Sequence, residues 1–199
     1  MSDPGRCANL GRTVEPSRRQ DYFDTAIGLL ANGGVATLTI AALCDGLEVT
    51  KGSFYHHFAS MDGFARELLQ YWEADGSARL VAALEGVDDP VERISVLKEL
   101  GITTNHDAES AIRAWGRSYE PAAECQRRVD DGRQVLLRRA YLDVGIDEHR
   151  ATVLAHVGVS ILVGNQQMGH PVDADAVARD FDEYERWILS LVRRAEPTP

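Results

Sequence analysis

Apolar residues recur along most of this chain at spacings of three and four, the pattern of helices with one buried face. The first such run begins at Ser17 and is ended by Gly33 and Gly34. Its apolar positions are Tyr22, Phe23, Ala26, Ile27 and Leu30. We therefore predict a first helix over residues 17–33.

Hydroxyl and carboxylate side chains, together with proline, mark the beginnings of the other helices. Thr39, Thr50 and Ser60 each precede a segment with helical apolar spacing, as N-capping residues do. Five further helices are predicted to begin near Pro90, Asp107, Pro121, Asp147 and Asp173. Three of them are expected to end at Gly101, Tyr119 and Gly145. No stretch shows the alternation of a β-strand, so the prediction is an all-α fold of about nine helices.

The change in helix length along the chain predicts its domain organisation. Three short helices precede Phe58, and longer helices follow it. Residues 1–16 contain glycine and proline and few apolar positions, which predicts a flexible tail. We expect a small helix-turn-helix module over residues 17–60 and a larger helical domain over 61–199.

The third predicted helix has the properties of a helix that reads DNA. It is about seven residues long, and its first turn presents small or basic side chains from Thr50 to Ser53. Gly52 weakens a helix by about 1 kcal/mol relative to alanine, so its presence favours close approach of another backbone. Phe54 and Phe58 are expected to face the first two helices. That orientation leaves Tyr55, His56 and His57 directed to solvent or phosphate.

The segment LTIAALCDGLEVTKGSFYHHF, preceded by YFDTAIGLLANGG, resembles the DNA-binding domain of the TetR family of bacterial transcriptional regulators. The resemblance covers about residues 18–64, and VTKGSFYHHF is its most specific part. Further along, ESAIRAWGR and VDDGR resemble one branch of the family. The resemblance implies an N-terminal DNA-binding domain and a C-terminal domain that binds a small molecule and forms a homodimer.

Carried over position by position, the resemblance implies which residues contact double-stranded DNA. These are Thr39, Thr50, Lys51, Gly52, Ser53, Tyr55, His56 and His57. Two positions depart from the family pattern. Glu48 replaces the usual glycine of the turn, which predicts a left-handed backbone or a differently shaped turn. Met61 replaces a usual lysine and predicts weaker attraction to phosphate.

The charge of the chain limits the kind of DNA binding that is possible. The formal net charge is −10, which argues against nonspecific coating of nucleic acid but permits a small docking surface. Arg12, Arg18 and Arg19 cluster ahead of the first helix and are expected to reach phosphates. There is no secretory signal and no apolar run long enough to span a membrane, so a cytoplasmic location without membrane contact is expected.

The larger domain contains two sets of candidate residues. Five side chains are candidates to line a ligand cavity, although aromatic residues at such spacing also occur in plain cores: Trp72, His106, Trp115, Tyr119 and Met168. Five others recur at steps of four and three and suit a partner helix, either in the same chain or in a second subunit: Val177, Phe181, Tyr184, Ile188 and Leu191. The family resemblance favours the second subunit, in a four-helix bundle.

The leading hypothesis is a ligand-responsive regulator, in the first instance a repressor, that binds a pseudo-palindromic operator as a homodimer and is released by a small-molecule effector. An enzyme is disfavoured because the chain lacks GxSxG, HExxH and phosphate-binding glycine motifs. A protein-binding adaptor of the same fold, without specific DNA binding, is the alternative. No cofactor and no metal site are expected. We interpret Cys44 as a small core residue in preference to a redox sensor.

Overall fold

The computed structural model describes residues 19–195. Within this range the chain forms nine α-helices, one short 3-10 helix and no β-strand, which confirms the predicted all-α class. The helices are α1 (Arg19–Gly33), α2 (Ile40–Gly46), α3 (Lys51–His57), α4 (Met61–Leu84), α5 (Pro90–Ile102), α6 (His106–Trp115), α7 (Glu120–Asp143), α8 (Glu148–Met168) and α9 (Ala174–Ala195), with the 3-10 turn at Val35–Thr37. The tail predicted for residues 1–16, together with Arg12, Arg18 and Cys7, lies outside the described residues.

Most of the predicted N-caps are confirmed by their hydrogen bonds. The hydroxyl oxygens of Thr39, Thr50 and Ser60 accept from backbone amides three residues later, at 3.1, 3.3 and 3.0 Å. The Asp147 carboxylate accepts from the Arg150 amide at 3.0 Å in the same way. Each bond satisfies an amide that has no partner inside its helix, so the side chain sets the first residue of the helix.

The predicted bounds of α6 are wrong at both ends. Asn105, not Asp107, caps the helix by accepting from the Ala108 amide at 3.1 Å. Asp107 lies in the first turn, and its Oδ1 instead lies 3.0 Å from His170 Nδ1 and accepts from the Val172 amide at 2.9 Å. At the other end, α6 stops at Trp115, four residues before the expected Tyr119.

Helix α5 runs one residue beyond Gly101, the expected stop, and ends at Ile102. The glycine serves packing rather than termination at this position. A β-carbon there would lie 3.2 Å from Cζ of Phe181 in α9, which is closer than such atoms normally approach. The missing side chain therefore allows α5 and α9 to pack against each other.

The described helices enclose two hydrophobic cores. The first joins α1–α3 to the N-terminal half of α4 and to α6 and the start of α7, and its fully buried side chains include Tyr22, Phe54, Phe58, Phe64, Leu68 and Ile112. The second joins α5, α7, α8 and α9, around Tyr141, Leu154, Phe181 and Ile188. The first core includes residues on both sides of position 60, and the division of the chain at that position stays a prediction.

Four of the five α9 residues predicted for a dimer interface are covered within the same chain, and for these four the prediction is wrong. Val177, Phe181, Tyr184 and Ile188 are buried in the second core of the same chain, and Leu191 packs against that core. Helical spacing identifies a face that must be covered, but it does not specify the helix that covers it. Here α5, α7 and α8 of the same chain cover it, so these side chains are not available to a second subunit.

The turn between α2 and α3 contains the left-handed residue that its sequence predicted. Glu48 has φ of 54°, the only positive φ at a non-glycine residue in the described part of the chain. On either side of it, the Glu48 amide donates to the Asp45 carbonyl at 3.3 Å and the Val49 amide donates to the Cys44 carbonyl at 2.9 Å. The turn therefore keeps its hydrogen bonds in a backbone conformation that glycine adopts more readily.

We predict that Glu48→Gly stabilises the protein by about 0.5–1 kcal/mol. Relief of the left-handed strain, about 1 kcal/mol or more, is partly offset by the greater freedom of glycine in the unfolded chain. Urea unfolding followed by circular dichroism measures the change. Glu48→Ala, which keeps the β-carbon, should stay near the wild type, and a loss of stability in the glycine variant would contradict the prediction.

Candidate nucleic-acid interface and internal cavity

Helix α3 presents one polar face to solvent. Lys51, Gly52, Tyr55 and His56 are exposed, and 57% of the Tyr55 surface is accessible. A β-carbon at Gly52 would meet only the Thr50 hydroxyl, 3.5 Å away. The surface at this glycine is therefore open to close approach by another molecule.

The opposite face of α3 is held by an aromatic cluster. Phe54 and Phe58 are buried, and their rings lie 5.9 and 5.5 Å from the ring of Tyr22 in α1. The Phe64 ring of α4 lies 4.9 Å from Phe58. These contacts set the direction in which the outer face points, since a seven-residue helix has little stability of its own.

Two of the predicted DNA-contact residues are partly occupied by contacts within the protein. Ser53 is half-buried, and its Oγ accepts a 3.0 Å hydrogen bond from the Tyr22 hydroxyl. The half-buried ring of His57 lies 5.6 Å from the Tyr22 ring. These two residues attach α3 to α1, whereas Lys51, Tyr55 and His56 are freely exposed.

Arg19 makes contacts within the protein that its sequence position did not predict. Its Nη1 donates to the His57 carbonyl at 2.7 Å, and its Nη2 pairs with the Glu67 carboxylate. Its guanidinium also lies 4.5 Å from the centre of the Phe58 ring. The side chain joins α1, α3 and α4, and its contact with phosphate stays a prediction.

The remaining predicted phosphate contact, Thr39, is exposed at the beginning of α2. Met61 is half-buried against the first core, so an apolar contact occupies that position. Between residues 39 and 58, Lys51 is the only lysine or arginine. The interface thus has one cation on its reading face and depends on hydroxyl, imidazole and aromatic groups for its other contacts.

The larger part of the chain encloses a cavity of about 240 Å³ between α4, α5, α7, α8 and α9. Much of its wall is apolar or aromatic, including Trp72, Leu80, Ile94, Leu97, Leu136, Phe181 and Ile188. An enclosed apolar space with a few polar groups is the usual form of a small-molecule site.

Of the five side chains predicted to line a ligand cavity, the structure places only Trp72 at this one. Trp115 and Tyr119 stack at 4.9 Å between ring centres and pack into the first core. Met168 is 75% exposed near the end of α8. His106 is buried, with Nε2 2.9 Å from the Ile102 carbonyl oxygen. For these four the prediction is wrong, because aromatic and thioether side chains suit cores and ends of helices as well as ligand sites.

No sequence pattern pointed individually to the charged residues that line the cavity. They are Glu73, Arg79, Lys98, Glu109, Arg128, Arg133 and Glu185. Glu109 and Arg133 lie in ESAIRAWGR and VDDGR, the two segments that resemble one branch of the family. That resemblance was the sequence feature that could have pointed to these two residues. Their pairing across α6 and α7 became visible only in the folded chain.

Glu109 is the most deeply buried charged group, with 1% of its surface exposed. Its carboxylate accepts two hydrogen bonds from Arg133, one of them at 2.8 Å, and lies 3.5 Å from an Arg113 nitrogen. Burial by itself raises the pKa of Glu109, but the hydrogen bonds and charge of Arg133 outweigh it and lower that pKa below its usual range.

The two described cysteines are buried, unpaired and placed as structural residues. Burial raises the pKa of the Cys44 thiol, and it raises that of Cys125 to about 12. Both thiols are therefore kept protonated, away from the thiolate form that redox chemistry uses. Between residues 19 and 195 there is no group of three or more His, Cys, Asp or Glu side chains placed to hold a metal ion. The same residues include no helix long and apolar enough to span a bilayer.

Glu109→Gln is expected to destabilise the protein by about 3–5 kcal/mol at pH 7, because it leaves buried arginine charge without its partner. A carboxyl group whose pKa is lower in the folded than in the unfolded state stabilises the protein at pH values above its unfolded-state pKa, here about 4.3. That stabilisation is lost as the pH falls through the folded-state pKa. The difference between wild type and variant should therefore shrink below about pH 4. Urea unfolding at pH 7 and pH 3 tests this, with the exposed Glu120→Gln as control. A pH-independent difference would contradict the prediction.

Comparison with known proteins agrees with the geometry of this interface. The sequence profile of the family described as "Bacterial regulatory proteins, tetR family" matches residues 23–68, which span most of α1 and all of α2 and α3. The HTH-type transcriptional regulator BetI of Brucella anthropi is 24% identical over 172 residues, covering 82% of this chain and 86% of that protein.

Solved structures show the same fold. A transcriptional regulator from Rhodococcus sp. Rha1 superposes with a TM-score of 0.73 at 16% identity, over 92% of this chain and all of that one. The multidrug binding protein EbrR, solved with imidazole, superposes with a TM-score of 0.57 at 23% identity, over 93% of this chain and 98% of that one.

Proposed function

We propose that this chain, which belongs to the TetR family of bacterial transcriptional regulators, is a repressor that a small-molecule effector releases from DNA. The chain is a DNA-binding regulator and not an enzyme. We further propose that the protein binds a pseudo-palindromic operator as a homodimer. Because its proposed target is bacterial DNA, we extend the proposal to a cytoplasmic location.

The observation that carries the proposal is the two-sided arrangement of α3. Lys51, Tyr55 and His56 point outward, while Phe54 and Phe58 fix the helix from behind. A short helix held in this way fits a major groove about 12 Å wide, with the residues of its first turn near base edges. The open surface at Gly52 favours close contact with the duplex backbone.

Helix α4 offers a route by which an effector changes DNA binding. Its first half packs Phe64 and Leu68 into the core below α3, and its second half lines the cavity from Trp72 onward. Between them, the Tyr71 hydroxyl donates to Asp24 of α1 at 2.8 Å. A ligand that displaces the cavity end of α4 would therefore move the reading helices. The ligand changes DNA binding by the difference between its binding free energies for the two states of the protein, typically about 1–3 kcal/mol.

The proposed dimer uses the outward surfaces of α8 and α9 rather than the buried face of α9. Val153 and Trp187 leave 49% and 48% of their surfaces exposed on these helices. Ser160 is also exposed on α8 and would allow close packing of a second helix. Pairing through these surfaces would present two copies of α3, which suits half-sites roughly 34–36 Å apart.

Changing Lys51→Ala and Tyr55→Ala together should lower affinity for the operator by at least about 100-fold, because each subunit loses two groups from its reading face. The duplex is first selected from genomic fragments with wild-type protein, and binding is then measured by fluorescence anisotropy. Arg127→Ala, an exposed cation on α7, is the matched control and should bind like the wild type. Unchanged affinity in the double variant would refute the site.

The same selection separates the regulator from the adaptor. Performed at two salt concentrations, it should enrich one palindromic sequence at both. Because nonspecific contacts weaken steeply with salt, an adaptor would enrich no sequence at the higher concentration.

Val153→Glu combined with Trp187→Glu should convert the protein to a monomer near 21.9 kDa, since it places buried charge in the proposed interface. Sedimentation velocity measures the mass, and circular dichroism checks that the helices remain. Val81→Glu, at a still more exposed apolar position on α4, should leave the dimer unchanged. A double variant that still sediments as a dimer would exclude this surface.

A further inference from the structure

Two ion pairs line the well-buried part of the cavity. Arg133 donates two hydrogen bonds to Glu109, one of them at 2.8 Å, and Lys98 donates one to Glu185 at 3.0 Å. The most exposed of these four side chains, Arg133, leaves 27% of its surface accessible. A charge that is withdrawn from water is tolerated where an opposite charge meets it. These pairs therefore compensate each other and offer little to the charge of a ligand.

Two further ion pairs lie on the solvent side of the cavity. Arg128 donates two hydrogen bonds to Glu73, at 2.9 and 2.6 Å, and Arg79 lies 3.0 Å from Asp75. Asp75 is outside the cavity lining, but its charge compensates that of Arg79. Every cation that lines the cavity thus has a carboxylate beside it, and every carboxylate of the lining has a cation. The charge of the wall is balanced within the protein.

Three hydroxyl groups of the wall also use their protons inside the protein. The Tyr141 hydroxyl donates to the Tyr184 hydroxyl at 3.2 Å, and the Tyr184 hydroxyl donates to the Leu154 carbonyl. The Ser77 hydroxyl donates to the Glu73 carbonyl at 2.9 Å. These donors are therefore already satisfied, and much of the remaining wall is hydrocarbon.

The cavity opens to solvent between α4 and α7. The lining residues that are exposed all belong to these two helices: Ser77 and Arg79 on α4, Arg128 and Gly132 on α7. Gly76 of α4 and Gly132 line the cavity, and a β-carbon on either glycine would have no atom of the described chain within 4 Å outside its own stretch of helix. Glycine weakens a helix interior, and no packing contact requires it at these two positions. The missing side chains leave the opening wide.

We propose that the cavity binds a small uncharged molecule, mainly hydrocarbon, that enters between α4 and α7 past Gly76 and Gly132. This inference rests on the proposed function, in which the cavity is the effector site. A charged ligand would have to break an existing ion pair or lie unpaired against hydrocarbon, and both are unfavourable. An uncharged ligand gains by burying apolar surface against side chains such as Leu97, Phe181 and Ile188. The volume, about 240 Å³, is just below the roughly 300–1,000 Å³ of drug-sized sites, so the ligand is a small one.

Two pairs of probes test the charge preference in the full-length wild-type protein: 4-phenylbutan-1-ol against 4-phenylbutylamine, and 4-phenylbutanamide against 4-phenylbutanoate. The members of each pair have nearly the same size and shape, and at pH 7 only the second member is charged. Isothermal titration calorimetry should give each uncharged probe a Kd at least 10-fold lower than that of its charged counterpart. Equal or tighter binding of either charged probe would overturn the proposal, as would the absence of binding by both uncharged probes at millimolar concentration.

The location is tested by Gly76→Leu, which adds an apolar side chain at the opening, where the structure leaves room for it. The variant should keep its helical circular dichroism and lose at least 10-fold in affinity for the alcohol. Ala78→Leu adds the same side chain at an exposed position of α4 outside the cavity lining, and it should change that affinity less than 3-fold. Alcohol affinity retained in Gly76→Leu would overturn the assignment. Should that variant not fold, the ranking of the probes by the wild type decides.

Release of DNA separates this inference from the proposed function. The alcohol is added to the complex with the selected duplex, and anisotropy is followed. An alcohol that binds more tightly than the amine without releasing DNA supports the ligand class and refutes the effector role. DNA that is bound specifically while a charged probe outcompetes its uncharged counterpart refutes the ligand class and leaves the regulator intact.

Discussion

The packing of Phe54 and Phe58 against Tyr22 and Phe64 is the interaction on which the DNA-binding surface depends. A seven-residue helix is unstable alone, because its few internal hydrogen bonds do not offset the entropy of ordering it. Burial of two phenylalanine rings, each contributing roughly 1.5–3 kcal/mol, supplies what the helix lacks. It also fixes rotation, because the polar residues between the phenylalanines are then directed outward. The same contacts therefore provide stability and orientation.

The aromatic cluster also connects the reading surface to the rest of the protein. Phe64 belongs to α4, and α4 continues from the cluster to the cavity wall at Trp72. Arg19 and Tyr71 add polar contacts that tie α4 to α1 and α3. Because α4 runs from the first core to the cavity wall, a change of shape around the cavity has a direct mechanical path to the reading surface. The fold thus positions the two candidate sites so that each can affect the other.

The cavity is shaped by the cost of burying charge. Glu109 is withdrawn from water almost completely and is kept ionised by arginines. Around the wall, Arg128 pairs with Glu73, Arg133 with Glu109 and Lys98 with Glu185. Where water is largely excluded such pairs interact strongly, because water screens them poorly.

The sequence by itself determined the helices, their caps at Thr39, Thr50 and Ser60, and the exposed and buried faces of α3. These features depend on residues within about one turn of each other, so local spacing was sufficient to predict them. The left-handed Glu48 was predictable for the same reason. Only the tertiary structure decided that the apolar face of α9 is covered within the same chain, that Arg19 pairs with Glu67, and that Glu109 meets Arg133. Those outcomes depend on which distant helices pack together, and neither periodicity nor residue type specifies the partner of a buried face or of a charge.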